Sequence, residues 1–342
     1  MAVWIRRVGK LLGTCMVLVA VLWGAGVIHF HATGLVHGLG LMLWAGLSLA
    51  LLWLLWRDGG RGMAWLGMGF LLALLALSVF WSSLRPSQDR QWADDVSQRL
   101  QVRSFDGRHV VLDNVRNFSW RSETDYDIVW EQRRYDLDQL QSADVLLSYW
   151  MGPAIAHTLV SFGFADGRQL VFSVEIRKEQ GESFDALAGF FRRYEMTLVA
   201  ADERDILATR TNARGEDVYL YRVSALRGQA LRELFVAYLE QARALDAQPA
   251  FYNTLISNCT TIIWQLARTI SPALPLDWRL LASGYFDDYL RQQGVLAPGV
   301  AALDLKQRGR ITERARADGG SAHFSQRIRQ GVPGIEQGAV DE

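Results

Sequence analysis

The stretch AHTLVSFGFADGRQLVFSVEIRKE, residues 156–179, decides the fold of the larger, C-terminal part of the chain. Two apolar runs rich in β-branched and aromatic residues flank Asp166 and Gly167, a pair that suits the positive φ angles of a tight turn. The stretch therefore predicts a β-hairpin. His157 begins the first strand of this hairpin, and Ser173 and Glu175 lie on the second strand.

The length of the hairpin loop decides which of these side chains share a face of the sheet. A two-residue loop would pair His157 with Ile176 and leave Glu175 on the opposite face. A loop one residue longer or shorter would place Glu175, and Ser173 with it, on the face of His157. Glu175 is therefore a candidate partner of His157, and the sequence leaves the register open.

Strands and helices follow each other around this hairpin without a regular βαβ order. RHVVLDNVRNFSW (residues 108–120) and RGEDVYLYRVS (residues 214–224) alternate as strands do, and residues 183–191 show helical spacing before a further strand. ALRGQALRELFVAYLEQARAL (residues 225–245) predicts an amphipathic helix. The C-terminal part is therefore expected to have an α+β fold.

A second stretch, NTLISNCTTIIWQLARTISP (residues 253–272), contains Cys259, one of two cysteines in the chain. The pattern predicts a helix from about Cys259 that ends before Pro272, with Ser257 or Asn258 as N-cap. Unpaired N–H groups and the positive end of the helix dipole would stabilise a thiolate there. The alternative is a small, buried structural residue at a helix start.

A nucleophilic thiol needs a base. Of the six histidines, four lie in the apolar N-terminal part or near the C-terminus: His29, His31, His37 and His323. His109 follows Asp-Gly-Arg and is expected in an exposed turn. His157 is therefore the candidate base, and a structural histidine at a strand end is the alternative.

The first 84 residues are almost entirely apolar and contain three runs, residues 11–30, 35–56 and 63–80. Each run is near the ~20 residues that a membrane-spanning helix needs. Basic residues precede the first run and separate the second from the third, which places both positions on the inner side and residues 85–342 outside. A cleaved signal peptide is the alternative for the first run, although no clear cleavage site follows it.

These patterns divide the chain into a transmembrane region (1–84), a Cys/His domain (85–305) and a tail (306–342). The tail loses the apolar pattern, so we expect it to be mostly disordered. The net charge of zero makes a nucleic-acid partner improbable. Cys15 lies in an apolar run, so a disulfide framework is not expected, and no Cys/His cluster has the spacing of a zinc site.

Three stretches carry a resemblance to a known bacterial family: the hairpin at 156–179, RRYEMTLVAADERDILATRTNARGEDVYLYRV (192–223) and YNTLISNCTT (252–261). They resemble the family named after the periplasmic domain of Lnb, a lipoprotein N-acyltransferase, over about residues 120–290. The family is similar to permuted papain-like (NlpC-like) folds, in which the histidine strand precedes the cysteine helix. His157 and Cys259 follow that order.

The resemblance implies a periplasmic acyltransferase that needs neither a metal nor a cofactor, and the three apolar runs, which lie outside the shared domain, would anchor it in the bacterial inner membrane. Cys259 would be the nucleophile and His157 its base, with Glu175 as a candidate third member. Asn258 and Thr260 flank the cysteine and are candidate substrate or oxyanion residues. A phospholipid would donate the acyl group through a thioester, and an amine such as a lipoprotein N-terminus would accept it.

Two other readings stay open on the sequence alone. The same cysteine and histidine would serve a papain-like amidase or peptidase of the cell envelope. A non-catalytic envelope protein would use neither.

The charge pattern makes a direct prediction about topology. A reporter that works only outside the cytoplasm, fused after Glu342, is expected to be active, because three crossings from an inner N-terminus leave the C-terminus outside. The same reporter fused after Arg57 should be inactive. Activity of a cytoplasm-only reporter at Glu342 would contradict the topology.

Overall fold

The computed structural model describes residues 1–57 and 60–335, and these form two compact units. The first unit comprises Met1–Pro86 together with a short later segment, Asp185–Arg193. The second unit comprises Ser87–Phe184 and the chain from Tyr194 onward.

Three long helices make up most of the first unit: α1 (Ala2–His31), α2 (Gly34–Arg57) and α3 (Gly60–Ser83). All three are long and apolar enough to cross a membrane, which confirms the expected transmembrane region. Trp44 stacks on Phe70 with ring centroids 4.9 Å apart. A side chain at Gly24 would meet this indole, since a Cβ there would lie 2.4 Å from the ring of Trp44. The glycine therefore lets α1 and α2 approach closely.

Residues 185–193 belong to the first unit although the sequence places them between two strands of the second. The helical spacing of this stretch produces only a 3₁₀ turn, Ala188–Phe191. Phe191 stacks on Phe30 at 5.3 Å, and its carbonyl oxygen lies 2.6 Å from Nε2 of His31. A Cβ at Gly26 would lie 2.1 Å from the ring of Phe191, so this glycine makes room for the phenylalanine.

An eight-stranded, mostly antiparallel sheet forms the centre of the second unit, and this confirms the α+β expectation. Its strands are β1 (Gln101–Phe105), β2 (His109–Arg116), β5 (Trp130–Asp136), β6 (Leu140–Met151), β7 (Ile155–Phe164), β8 (Gln169–Arg177), β9 (Glu195–Asp202) and β10 (Asp217–Arg222). The order is β1-β2-β9-β8-β7-β6-β10, and β5 pairs with β2. A separate pair, β3 (Ser119–Trp120) and β4 (Tyr126–Asp127), lies outside this sheet.

Helices cover both faces of the sheet. They are α4 (Glu203–Ala208), α5 (Gly228–Ala247), α6 (Cys259–Ile270), α7 (Phe286–Gln292), α8 (Ala302–Gly309), α9 (Thr312–Asp318) and α10 (Phe324–Ile328). On one face, Phe162 and Phe172 of the hairpin pack against Phe235 and Tyr238 of α5. The opposite face packs against α4, α9 and α10. Alternation along β7 and β8 therefore directs successive side chains into two different layers.

The expectation of a disordered tail from residue 306 is wrong for its described part, which extends to Ile335. Helices α9 and α10 pack on the sheet and bury Ile311, Phe324 and Ile328. These apolar residues are too widely spaced to form a local pattern, but they complete a core that the sheet would otherwise expose. The C-terminal domain thus continues well past residue 305. Residues 336–342 lie outside the described part of the chain.

Arg329 holds the end of the chain through buried ion pairs. Its guanidinium donates to Asp144 at 2.8 Å and to Glu203 at 2.5 Å, and all three side chains are buried. Asp144 also pairs with Arg222 of β10 at 2.5 Å. The network joins α10 to two strands and to the start of α4.

Replacing Arg329 with alanine should destabilise the C-terminal domain strongly, because two buried carboxylates would lose a shared cation. Loss of one partner of a buried ion pair typically costs about 3–5 kcal/mol. The loss is measured as a lower melting temperature by near-UV circular dichroism of the detergent-solubilised chain. The matched control is Gln326→Ala, because Gln326 is an exposed residue of α10, the helix that Arg329 follows. Equal melting temperatures for the two variants would contradict the role of Arg329.

Candidate active site

A three-residue loop sets the register of the hairpin. The N–H of Phe164 donates to the carbonyl of Arg168 at 3.0 Å, so Ala165, Asp166 and Gly167 form the loop, and Gly167 has a φ of 83°. Strand pairing then runs from Gly163 opposite Gln169 to Leu159 opposite Ser173. This is the longer-loop alternative, and it places Ser173 and Glu175 on the face of His157.

Asn258 fixes the start of helix α6. Its side-chain oxygen accepts hydrogen bonds from the N–H groups of Thr260 and Thr261, at 2.9 and 2.8 Å. The hydroxyl of Thr261 accepts in return from the N–H of Asn258 at 2.8 Å, which completes a capping box. Asn258 is thus the N-cap, and Cys259 is the first residue of the helix.

The amide of Asn258 is fully engaged in this arrangement, because its NH₂ group donates to the carbonyl of Thr254 at 2.8 Å. Thr260 is fully buried, and its hydroxyl is hydrogen-bonded to that of Thr158 at 2.8 Å. The two predicted substrate or oxyanion residues therefore hold the helix start and fasten it to β7. In the first turn, the N–H of Cys259 does not donate to the side chain of Asn258, whereas those of Thr260 and Thr261 do.

Cys259 is 7% exposed and lies among several hydrogen-bond donors. Its sulfur interacts with the side chain of His157, with the N–H of Thr158 and with the hydroxyl of Thr260. The N–H of Thr158 is available because pairing of β7 with β8 ends at Leu159. The phenol of Tyr252 is a hydrogen-bond partner of the N–H of Cys259.

His157 is connected to Glu175 both directly and through Ser173. Its Nε2 lies 2.7 Å from the hydroxyl of Ser173, which donates to Oε1 of Glu175 at 2.7 Å. The direct distance from Nε2 to that oxygen is 3.3 Å. Because Nε2 is engaged here, Nδ1 is the ring nitrogen left to face Cys259.

Arg210 completes the charged set around Glu175. It lies in a π-helical turn, Thr209–Ala213, and its guanidinium is 2.8 Å from Glu175 and 3.5 Å from Glu216. Glu216 in turn accepts a short hydrogen bond from the hydroxyl of Ser148, whose residue pairs with His157 across β6 and β7. His157 is thus part of a largely buried network of alternating charges.

Burial and charge act in opposite directions on the pKa values of this network. Burial alone would lower the pKa of His157, and Arg210 adds to that effect, but the negative charges of Glu175 and Cys259 outweigh both and raise it to about 9. Burial would raise the pKa of Cys259, yet the imidazolium and the surrounding donors lower it below its usual value. A thiolate–imidazolium pair is therefore favoured at neutral pH.

Glu175 stays ionised for the same reason. Burial would raise the pKa of this carboxyl, but His157 and Arg210 hold it well below its usual range. Its charge in turn keeps the imidazole protonated. The geometry therefore suits a cysteine nucleophile, a histidine base and a carboxylate that orients the histidine.

Sequence reasoning named Cys259, His157 and Glu175 and noted Ser173, and the structure brings all four together. It missed Arg210 and Tyr252. Arg210 lies far from the hairpin in sequence and in an ordinary polar stretch, so no local signal identified it. Tyr252 stood within the quoted cysteine motif, where a tyrosine seven residues before the cysteine carried no recognisable pattern.

Two further expectations concern residues outside this site. His109, expected in an exposed turn, is instead the first residue of β2. It lies 3.3 Å from Asp106, and a third of its side chain is exposed. Among the described residues, no group of three His, Cys, Asp or Glu side chains lies close enough to hold a metal ion.

Alkylation of Cys259 should depend on pH through this network. In a Cys15→Ala background, the rate should rise at a pH below the ~8.5 of a free cysteine and change again near 9, where His157 loses its proton. Glu175→Gln removes a charge that raises the pKa of His157, so the upper step should move to lower pH. The matched control is Glu179→Gln, because Glu179 pairs with Arg90 and not with His157. A profile with one step at the free-cysteine value would contradict the ion pair.

Comparison with known proteins finds a family model that matches part of this chain. The family model of the Lnb N-terminal periplasmic domain matches residues 126–284, a little under half of the chain. The comparison with curated proteins and the comparison with solved structures give no match. The matched segment contains His157, Glu175 and Cys259, and the match confirms the resemblance to this family over residues 126–284.

Proposed function

We propose that this chain is a thiol-dependent acyltransferase of the bacterial inner membrane that moves a fatty acyl group from a phospholipid to an amine. The observation that supports it best is the pairing of the buried Cys259 at a helix start with the partly buried His157, whose charges favour the thiolate. The amine of a lipoprotein N-terminus is the proposed acceptor. The three apolar helices would keep the enzyme at the membrane that holds both substrates.

The first half-reaction forms a thioester. The thiolate of Cys259 attacks the ester carbonyl carbon of the lipid, and a C–S bond forms as the carbonyl oxygen takes the negative charge. When this intermediate collapses, the C–O bond of the ester breaks. The leaving alkoxide receives its proton from the imidazolium of His157 and departs as a lysolipid.

The second half-reaction transfers the acyl group to the amine. His157 is now neutral and takes a proton from the attacking nitrogen as the C–N bond forms. The C–S bond then breaks, which returns Cys259 as a thiolate beside a protonated His157. Glu175 would keep the ring oriented through both steps, and its charge compensates that of the imidazolium.

The oxyanion of both intermediates needs hydrogen-bond donors. The N–H groups of Thr260 and Thr261 are engaged by the cap of Asn258. We therefore assign this role to the phenol O–H of Tyr252, whose oxygen accepts from the N–H of Cys259 and whose own hydrogen that bond does not use. Burial raises the pKa of Tyr252, so the phenol keeps its proton and stays a donor.

Incubation of the purified chain with phospholipid vesicles should place an acyl group on Cys259 that hydroxylamine removes. An added primary amine should discharge the adduct and form an amide. Intact-protein mass spectrometry measures both steps. Cys259→Ala should acquire no adduct, and Cys259→Ser is expected to trap an oxygen ester. Cys259-dependent cleavage of peptides or muropeptides without any lipid adduct would replace this proposal with a papain-like hydrolase.

Tyr252→Phe tests the assigned oxyanion donor within the same experiment. Loss of one such donor typically slows the chemical step about 10²-fold to 10³-fold. The adduct should form more slowly by this order, while the pH dependence of Cys259 alkylation keeps its lower step. Tyr238→Phe, a buried tyrosine of α5 whose hydroxyl has no partner among the described residues, is the matched control. Equal rates for the two variants would remove Tyr252 from the mechanism.

A further inference from the structure

An open groove of about 480 Å³ lies beside the β6–β7 hairpin, in the second unit. It is lined by the end of β6, the hairpin tip, the start of β10 and one residue of α8. Its lining residues include Tyr149, Trp150, Arg214, Glu216, Asp217, Tyr219 and Lys306. Its size is that of a site for a small molecule or a lipid head group.

Two cations of this groove have few close partners. The guanidinium of Arg214 approaches Asp95 and Glu216 only to 3.8 Å, and Lys306 approaches Asp287 to 3.9 Å. Neither side chain has a hydrogen bond of ordinary length to a described residue. Both are partly exposed, at 32% and 45%. They therefore keep donors available for an anion.

The acidic residues of the groove are already neutralised. Glu216 is buried, accepts from the hydroxyl of Ser148 and faces Arg210. Asp217 accepts from Arg310 at 2.7 Å and from the hydroxyl of Thr312 at 2.6 Å. The charges left without close compensation are thus the positive ones.

Aromatic rings form the rest of the groove. The ammonium of Lys306 lies over the rings of Tyr149 and Tyr219, 5.7 and 5.9 Å from their centroids. Both phenols are hydrogen-bonded elsewhere, that of Tyr149 to the carbonyl of Gly284 and that of Tyr219 to Asp217. The tyrosines therefore offer ring faces, and these hold the lysine at the groove.

Two structural links join the groove to the histidine strand. Tyr149 and Trp150 belong to the hairpin whose second strand carries His157, and Glu216 is linked to Glu175 through Arg210. A molecule in the groove would therefore lie against the end of β6, the strand that pairs with the histidine strand β7.

We propose that this groove binds the phosphate of a phosphodiester, with Arg214 and Lys306 as its two cationic contacts and the head group of the lipid donor as its source. A guanidinium and an ammonium suit a phosphate, and the rings suit the glycerol backbone beside it. The inference rests on the proposed function, since it assigns a place to the head group of the acyl donor.

The test is calorimetric binding to the full-length chain in detergent, carrying Cys259→Ala so that no transfer occurs. The probe is dihexanoylphosphatidylglycerol, and dihexanoylglycerol is its counterpart without phosphate. The phosphate-containing lipid should bind at least tenfold more tightly. Arg214→Gln and Lys306→Gln should each weaken it about tenfold, as loss of a hydrogen bond to a charged group does. Arg103→Gln removes the same charge from β1, at the opposite edge of the sheet, and should change binding less than twofold.

Binding of two further compounds distinguishes a lipid head group from free phosphate as the source of the phosphate. Glycerophosphoglycerol binding that depends on both cations, with inorganic phosphate weaker, supports the head group. Inorganic phosphate binding as tightly as the lipid would overturn the lipid source. Equal binding of both lipids, or binding unaffected in both variants with unchanged near-UV spectra, would overturn the anion site.

The adduct on Cys259 separates this inference from the proposed function. Adduct formation from phosphatidylglycerol at the normal rate in both cation variants would refute the groove and leave acyl transfer intact. Binding that depends on both cations, together with the absence of any adduct on the chain that keeps Cys259, would support the anion site and refute acyl transfer.

Discussion

The three-residue loop at Ala165–Gly167 is the constraint on which the reactive arrangement depends. Strand side chains alternate between faces, so a loop shorter by one residue would turn Glu175 away from His157. The observed loop places the carboxylate 3.3 Å from the imidazole and lets Ser173 connect the two. The charge of Glu175 then offsets the burial of His157, and the protonated ring in turn lowers the pKa of Cys259. A local choice of turn thus contributes to the lowered pKa of the thiol.

Burial makes this arrangement interdependent. Each of the three reactive groups would lose its charge if it were buried alone, because desolvation disfavours the charged form. They remain charged because each faces an opposite charge, and Arg210 supplies a further positive charge beside Glu175. Arg210 also opposes the protonation of His157, so it limits how far that pKa rises. The lowered pKa of Cys259 therefore depends on the network and not on the helix start alone.

The two cations of the groove contrast with Arg329 and Arg210. The latter two are buried and meet carboxylates within 3 Å, which is the arrangement expected of structural or positioning charges. Arg214 and Lys306 are partly exposed and approach carboxylates only at 3.8 and 3.9 Å. The charges of Arg214 and Lys306 are therefore only partly neutralised by carboxylates. This leaves them able to bind an anion, whereas the buried arginines serve to stabilise the structure or to position other charges.

The sequence by itself determined the elements whose signals are local. Runs of apolar residues gave the three membrane-spanning helices, and the spacing of Leu231, Phe235 and Tyr238 gave α5 with its buried side. Asp166 and Gly167 located the hairpin, and the polar residues before Cys259 located the start of α6. In each case neighbours in the chain carry the physical cause, namely hydrophobic periodicity, turn geometry or helix capping.

Only the tertiary structure decided the rest. The register that brings Glu175 to His157 depends on one residue of loop length, which turn composition does not fix. Arg210 reaches Glu175 from a distant turn, and the residues of α9 and α10 find their apolar partners on a sheet formed far earlier in the chain. Such contacts join residues that share no local sequence pattern. They therefore contribute to stability only once the chain has folded, and the sequence does not reveal them.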